Sequence, residues 1–407
     1  MIVLSGAELV LPGRILPAAT LVIDGDRIAE IRPGSASAPA LPGIGFPGHY
    51  ILPGFIDVHV HGVDGVDSLS EGDPVAWLAA HLPRYGVTGF CPATVACAPA
   101  ALDRTLNQVR HARKAPKPRR ARVLPAHVES NFISREYRGA QPAGCLRSPA
   151  RALEEWTSGQ GGVDKEPDAA HFNGAEILRV IERSAPDVAY VTLAPELHGA
   201  LNLVDWLVTR GLRVGLGHSA ATYDQGMAAI AAGAKHATHL FNRMPALSQR
   251  EPGLAGAVLQ SDEVVCEIIC DGVHVHPALV RTAVAAKHPA RSVAITDGTA
   301  LAGLPPDSRS SLGGQRIRVQ GGAAVLDDGT VAGSVATMDH VLRTLVGPVG
   351  LSLVDAATMC ATTPALELGL VGRGVLAVGA IADLVVLDER FHVVQTYIGG
   401  ELAYARG

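Results

Sequence analysis

One feature limits the possible folds more than any other: from about residue 51 to about residue 300, short apolar runs alternate with stretches of helical periodicity. Eight runs can be counted, at 55–62, 88–95, 122–130, 189–196, 213–219, 236–242, 263–272 and 291–298. The intervals carry helix signals. DPVAWLAAHLPRYG opens with Asp73 as a cap and Pro74 at the first helical position, and NGAEILRVIERS (173–184) and TYDQGMAAIAAG (222–233) are similar. Eight strand-then-helix units are the arithmetic of a closed parallel barrel. An open doubly wound sheet is the alternative, normally with fewer strands. The two ends differ from this middle. Residues 1–32 read as short strands, with a D-G turn inside LVIDGDRIAEI (21–31), and the tail from about 371 returns to short strands and glycine turns. The expected architecture is therefore α/β: a (β/α)8 TIM-like barrel over 53–370, with a small β-sandwich domain built from 1–52 and 371–407. Segments 33–49, 114–120 and 158–169 read as loops.

The chain of 407 residues, 48% hydrophobic and 18% charged, can bury a large core. Its net charge of −5 argues against nucleic acid as a partner, which usually calls for a basic face. It leaves room for a small anionic substrate, for which one or two local arginines suffice. None of the six cysteines forms a C-x-x-C pair, so reduced, buried thiols are expected rather than a thiolate metal site. The N-terminal MIVLSGAELVLPGR has no basic segment followed by a long apolar run, and no stretch has the length of an apolar membrane span. A cytoplasmic protein without a membrane partner is the expectation.

The polar residues then fall in a telling place. His59 and His61 end the first run, Glu129 the third, His218 the fifth and His239 the sixth; His274 follows the seventh and Asp297 ends the eighth. In a parallel barrel these ends open on one face, where active sites are built. His59 and His61, two apart on a strand, point to the same side and can clasp one ion. Glu129 can bridge two ions through its two oxygens. Nitrogen and oxygen donors suit Zn, Fe, Mn or Co. A carboxylate such as Asp297 beside a metal-activated water can take its proton and pass it to a leaving group. Each residue alone has an ordinary reading: a capping neighbour, a satisfied core histidine, a turn aspartate. Their recurrence at equivalent strand ends favours a metal site holding one or two divalent ions. His127 and His276 lie near these motifs without an assignment. The other histidines, His236 among them, read as structural.

The residues also carry a resemblance. LPGFIDVHVHG (52–62), HVESNFI (127–133), TLAPE (192–196), GHSAAT (217–222), ATHLFNRMP (237–245), REPGLAG (250–256), DGVHVHP (271–277), ITDG (295–298) and AGSVATMD (332–339) follow one another as in the N-acetylglucosamine-6-phosphate deacetylases of the amidohydrolase superfamily. The tail GVLAVGAIADLVVLD (374–388) is similar to the closing strands of that superfamily. The resemblance covers nearly the whole chain. It implies that Glu129, His218 and His239 hold the main ion, zinc first among the candidates. His59 and His61 would hold a second, shared through Glu129 and Asp297. It implies Asp297 as the general base and then the acid, and His274 in contact with the sugar or the acetyl group. Asn242 and Arg250 would hold a phosphate, Arg250 reaching over from the other subunit of a homodimer. The implied reaction releases acetate and the free amino sugar phosphate.

The sequence departs from this family at several points. His127-Val128-Glu129-Ser130-Asn131 stands where the family usually has Gly-Pro after the glutamate. Arg138-Gly139-Ala140-Gln141 stands where many members end in histidine, so Gln141 can make only a neutral contact with substrate. Arg243 replaces a small residue and either tightens phosphate binding or pairs locally. These departures keep open a deacylase of another amino sugar phosphate, such as the galactosamine epimer, or of another N-acyl group. A catalytically inactive binding protein on the same fold is disfavoured because no metal ligand is missing. A cyclic amidase is disfavoured because Glu129 stands where such enzymes use a modified lysine.

Overall fold

The computed structural model describes residues 1–34, 43–159 and 170–407. The expected loops at 33–49 and 158–169 therefore lie partly outside the described residues; 114–120 is an exposed connection after a helix.

All eight expected runs form barrel strands: β1 (Phe55–Val60), β2 (Val87–Thr94), β3 (Ala126–Glu129), β4 (Val188–Leu193), β5 (Arg213–Leu216), β6 (His236–Ala237), β7 (Val265–Ile269) and β8 (Ser292–Ile295). They pair in sequence order, each parallel to the next. A parallel bridge between Val60 and Gly298 joins the last strand's end back to the first. The barrel is thus nearly closed, and the open-sheet alternative is set aside. Buried strands lined on both sides explain the near-continuous apolar runs.

The helix signals are realised locally. The Asp73 carboxylate accepts the Ala76 N–H at 3.2 Å to start helix Pro74–His81. Reciprocal capping boxes, Asn173 with Glu176 and Thr222 with Gln225, start helices Gly174–Arg183 and Tyr223–Ala231. The main core lies between the strands and this outer ring, around Val75, Leu106, Ile177, Leu203, Val258 and Leu342.

The two chain ends build a separate sheet domain, seven of whose strands hydrogen-bond in one continuous path while the short Ile44–Gly45 pairs beside it with Ile2–Leu11. Tyr50–Pro53 pairs with Ile2–Leu11 on one side and with Leu384–Leu387 on the other, which ties the ends together. Its core, including Leu4, Leu21, Ile51, Leu384 and Tyr397, is distinct from that of the barrel.

One element has no counterpart in the sequence reading. After β8, Arg309–Leu312, Gln315–Gln320, Ala323–Leu326 and Val331–Ser334 form an antiparallel four-stranded sheet. It packs Leu312, Ile317 and Ala324 against Val95, Ala140 and Leu301 at the mouth of the barrel. Its strands are short, and the first two are only partly buried, so their alternation is weak in the sequence.

Candidate metal centre and active site

The strand ends converge as their positions suggest. His59, His61, Glu129, His218, His239 and Asp297 are all buried at one barrel mouth. Their donor atoms fall into two adjacent groups, His59 with His61 and Asp297, and Glu129 with His218 and His239, each compact enough to hold a metal ion. His239 Nε2 lies 2.9 Å and His218 Nε2 3.2 Å from Glu129 Oε1. His61 Nε2 lies 3.3 Å from Asp297 Oδ1, and His59 Nε2 3.5 Å from both Asp297 Oδ1 and Glu129 Oε1.

The proton arrangement shows that these groups fit a metal. His218 gives its Nδ1–H to the Tyr137 carbonyl at 2.9 Å, so a neutral His218 turns a lone pair toward the Glu129 carboxylate. His59 does the same, with its Nδ1–H on Glu267 at 2.9 Å and its lone pair toward Asp297 and Glu129. Lone pairs facing anionic oxygens repel unless a cation sits between them, either a proton or a metal ion. The field agrees. Burial pulls the His59 pKa down, but the carboxylates of Glu267, Asp297 and Glu129 outweigh it and push it up to about 10. Burial would raise the Glu129 carboxyl, yet His218, His239 and His59 hold it well below the usual range. Burial would likewise raise Asp297, which His61, His59 and His239 hold low.

The backbone bends hard at these positions. His218, His239 and Asp297 have φ of +47°, +31° and +49°, the left-handed region that non-glycine residues seldom enter. Neighbouring motifs hold these bends. Glu196 of TLAPE accepts the Ser219 hydroxyl at 2.7 Å and the Ala220 N–H at 2.6 Å, fixing the turn after His218. Asp57 accepts the Thr296 hydroxyl at 2.6 Å and the His59 N–H at 3.2 Å, clamping β1 to β8 between two proposed ligands. Gly62 follows because a Cβ there would lie 2.4 Å from the Val66 carbonyl oxygen and 2.7 Å from the Ala300 nitrogen.

A cavity of about 620 Å³ opens above the cluster, within the range of small-molecule sites. It is lined by His61, Glu129, His218, His239 and Asp297, and also by Gln141, Asn242, Arg243 and His274. Gln141 donates its amide to Glu129 Oε2 and accepts the Ala96 N–H at 2.6 Å, so it braces the carboxylate. His274 gives its Nδ1–H to Asp271, which leaves a buried Nε2 without a partner at the cavity. Burial pulls the His274 pKa down, but Asp271 raises it above the usual value. Arg243 donates to the Val331 carbonyl at 2.9 Å and lies over Gly139, where a Cβ would come within 2.6 Å of its Nε. Among the described residues no carboxylate pairs with Arg243; its local partner is the Val331 carbonyl. Arg250 is exposed and does not line the cavity of the single chain.

Ser130 and Asn131 turn away from the cavity. Ser130 donates to the Thr192 carbonyl, and Asn131 donates to the carbonyls of Cys97 at 2.9 Å and Cys145 at 2.7 Å. The replacement of Gly-Pro thus rebuilds the loop's internal bonding. The sequence reading did not single out Tyr137 and Glu136, which line the cavity, nor Glu267 beneath the histidines. An acidic residue inside an otherwise apolar strand, EVVCEIIC, was the available signal for Glu267.

The amidohydrolase family matches residues 146–403. N-acetylglucosamine-6-phosphate deacetylase of Rattus norvegicus is 37% identical over 370 residues, spanning 88% of this chain and 84% of that protein. The chain belongs to this family of amidohydrolases. N-acetylgalactosamine-6-phosphate deacetylase of Escherichia coli O157:H7 is also similar, 34% identical over 355 residues and 87% of each chain. Among solved structures, a mutant N-acetyl-D-glucosamine-6-phosphate deacetylase of Mycobacterium smegmatis, in complex with N-acetyl-D-glucosamine-6-phosphate, superposes with a TM-score of 0.85. It is 33% identical and covers 99% of both chains, so the family likeness includes the end domain as well as the barrel.

Proposed function

We propose that this protein hydrolyses the N-acetyl group of N-acetylglucosamine-6-phosphate, releasing acetate and glucosamine-6-phosphate. The observation that carries this reading is the buried cluster of four histidines with Glu129 and Asp297, opening into a cavity lined by Arg243. Glu129, His218 and His239 would hold one divalent ion, and His59, His61 and Asp297 a second. Zinc is the proposed ion, although such nitrogen and oxygen donors also suit Fe, Mn or Co. Bound there, the metal supplies a polarised amide carbonyl and a more acidic water. The Asp297 carboxylate, held low, is available to accept the water proton and deliver it to the departing amine as the C–N bond breaks. His274 Nε2 would contact the sugar or the acetyl oxygen. Asn242 and Arg243 would hold the phosphate, with Arg250 supplied by a second copy of the chain in a homodimer. A guanidinium fits a phosphate through paired donors. Among the described residues no helix is long and apolar enough to cross a membrane, and a cytoplasmic location is proposed on the substrate's account.

The Escherichia coli relative supports a second reading, in which the galactosamine epimer is the substrate. One assay separates them: acetate release by metal-loaded protein from both 6-phosphates and from unphosphorylated N-acetylglucosamine. Fast release from the glucosamine phosphate alone is expected. Preference for the epimer would replace the substrate, and no release from any of the three would overturn the reading.

A further inference from the structure

Glu267 lies on β7, fully buried, on the same face as Val265 and Ile269 of the inner barrel cluster. Four nitrogens from three other strands or their ends converge on its carboxylate. Oε2 accepts the His59 Nδ1–H at 2.9 Å and the His239 backbone N–H at 3.3 Å. Oε1 accepts the His236 Nε2–H at 2.9 Å and lies 3.2 Å from His127 Nδ1. The Glu267 carbonyl also accepts the Leu240 N–H at 2.8 Å, just past His239. One side chain thus touches both proposed metal groups, through the ring of His59 and the backbone of His239. His59, His127 and Glu267 are themselves close enough to hold an ion, but His59 Nδ1 already gives its hydrogen to Glu267, and His127 Nδ1 lies 3.3 Å from the Val58 carbonyl as well as 3.2 Å from Glu267.

The two metal groups do not depend on Glu267 equally. In the Glu129 group, His218 is oriented independently by the Tyr137 carbonyl, and His239, whose Nδ1 is buried without a partner, meets Glu267 through its backbone N–H and not through its ring. In the other group, His61 Nδ1 is buried without a hydrogen-bond partner, so His59 is its one histidine with an anchored ring among the described residues. A carboxylate anchor fixes the tautomer that leaves the Nε2 lone pair free and makes that nitrogen a stronger donor.

We infer that Glu267 is a positioning residue that presents His59 to the second ion, so that occupancy of the His59–His61–Asp297 group depends on it while occupancy of the Glu129–His218–His239 group does not. This rests on the two-ion form of the proposed function.

The test is metal binding, read as ions per chain in graded metal buffers and by the cobalt(II) absorption spectrum. The proteins are the parent, Glu267→Gln, His59→Ala, His218→Ala and the double variants. Glutamine offers one acceptor and one donor where four nitrogens converge, at nearly equal volume. The parent is expected to hold two ions. Glu267→Gln is expected to keep one at parental affinity and to bind the other about 10–100-fold more weakly. Added to His218→Ala it should weaken the remaining ion by that factor; added to His59→Ala it should change nothing further. Parental binding of both ions by Glu267→Gln, or equal weakening in both backgrounds, would overturn the inference. Metal-free melting curves report whether each variant folds. If the glutamine variant does not, Glu267→Asp, which withdraws the charge by one methylene, carries the same comparison with a smaller expected loss. A parent that releases acetate with a single ion would overturn this inference and leave the proposed reaction standing. Two ions without acetate release would do the reverse.

Discussion

His218 Nε2 and His239 Nε2 stand 3.1 Å apart, both against the same oxygen of Glu129. Two imidazole nitrogens and an anionic oxygen at such spacing need a shared cation. Removing metal with a chelator should therefore abolish acetate release and lower the melting temperature, and adding back Zn, Co, Mn or Fe should restore both in part. At metal concentrations about 100 times the dissociation constant, the expected stabilisation is about 2.7 kcal/mol per ion. Unchanged activity in protein shown to be metal-free would remove the ion from the mechanism.

Asp297→Asn keeps the side chain's size and removes its basicity. The ion at Glu129, His218 and His239 should stay bound while kcat falls by about 10²–10⁴-fold. A near-parental kcat with metal confirmed would take the proton-transfer role away from Asp297.

Arg243→Ala and Arg250→Ala address the phosphate. Each should raise KM for the 6-phosphate by about 10-fold or more, with little effect on the unphosphorylated sugar, because charge-assisted hydrogen bonds are lost. Equal effects on both substrates would dismiss the phosphate role of that arginine. For Arg250, sedimentation measurements should find a dimer, and heterodimers of Arg250→Ala with Asp297→Asn should recover the parental KM for the 6-phosphate. Failure of this complementation in confirmed heterodimers would place Arg250 outside the partner's site.

Asp271 and His274 give a stability prediction with a defined pH range. Burial would raise the Asp271 carboxyl, but His274 holds it below its usual value; burial would lower His274, but Asp271 raises it. The depressed carboxylate contributes stability above its unfolded pKa, and this is lost as pH falls through the lower folded value. The raised imidazole contributes stability below its unfolded pKa, and this is lost as pH rises through the higher folded value. Asp271→Asn should thus cost most between about pH 4 and pH 6.5, on the order of 1–3 kcal/mol, and less toward alkaline pH. Melting temperatures of metal-free parent and variant across that range check this; a pH-independent difference would mean that the pair is not ionic.

The sequence by itself determined the barrel, because strands buried on both faces leave apolar runs and the intervening helices carry their caps in consecutive residues, as at Asp73, Asn173 and Thr222. It also marked the convergent histidines and carboxylates, since a parallel barrel brings every strand end to one face. Only the tertiary structure decided what braces them. Glu267 meets His59 across 208 positions of chain and His127 across the barrel, and no local pattern records such a contact. Ser130 and Asn131 stand directly after Glu129 in sequence, yet their side chains turn inward to the carbonyls of Thr192, Cys97 and Cys145. The sheet over 309–334 and the lodging of Arg243 between Gly139 and Val331 likewise rest on contacts between distant segments. Periodicity and capping are properties of neighbours along the chain, whereas the partner of a buried polar group is set by whichever strand the closed barrel places opposite it.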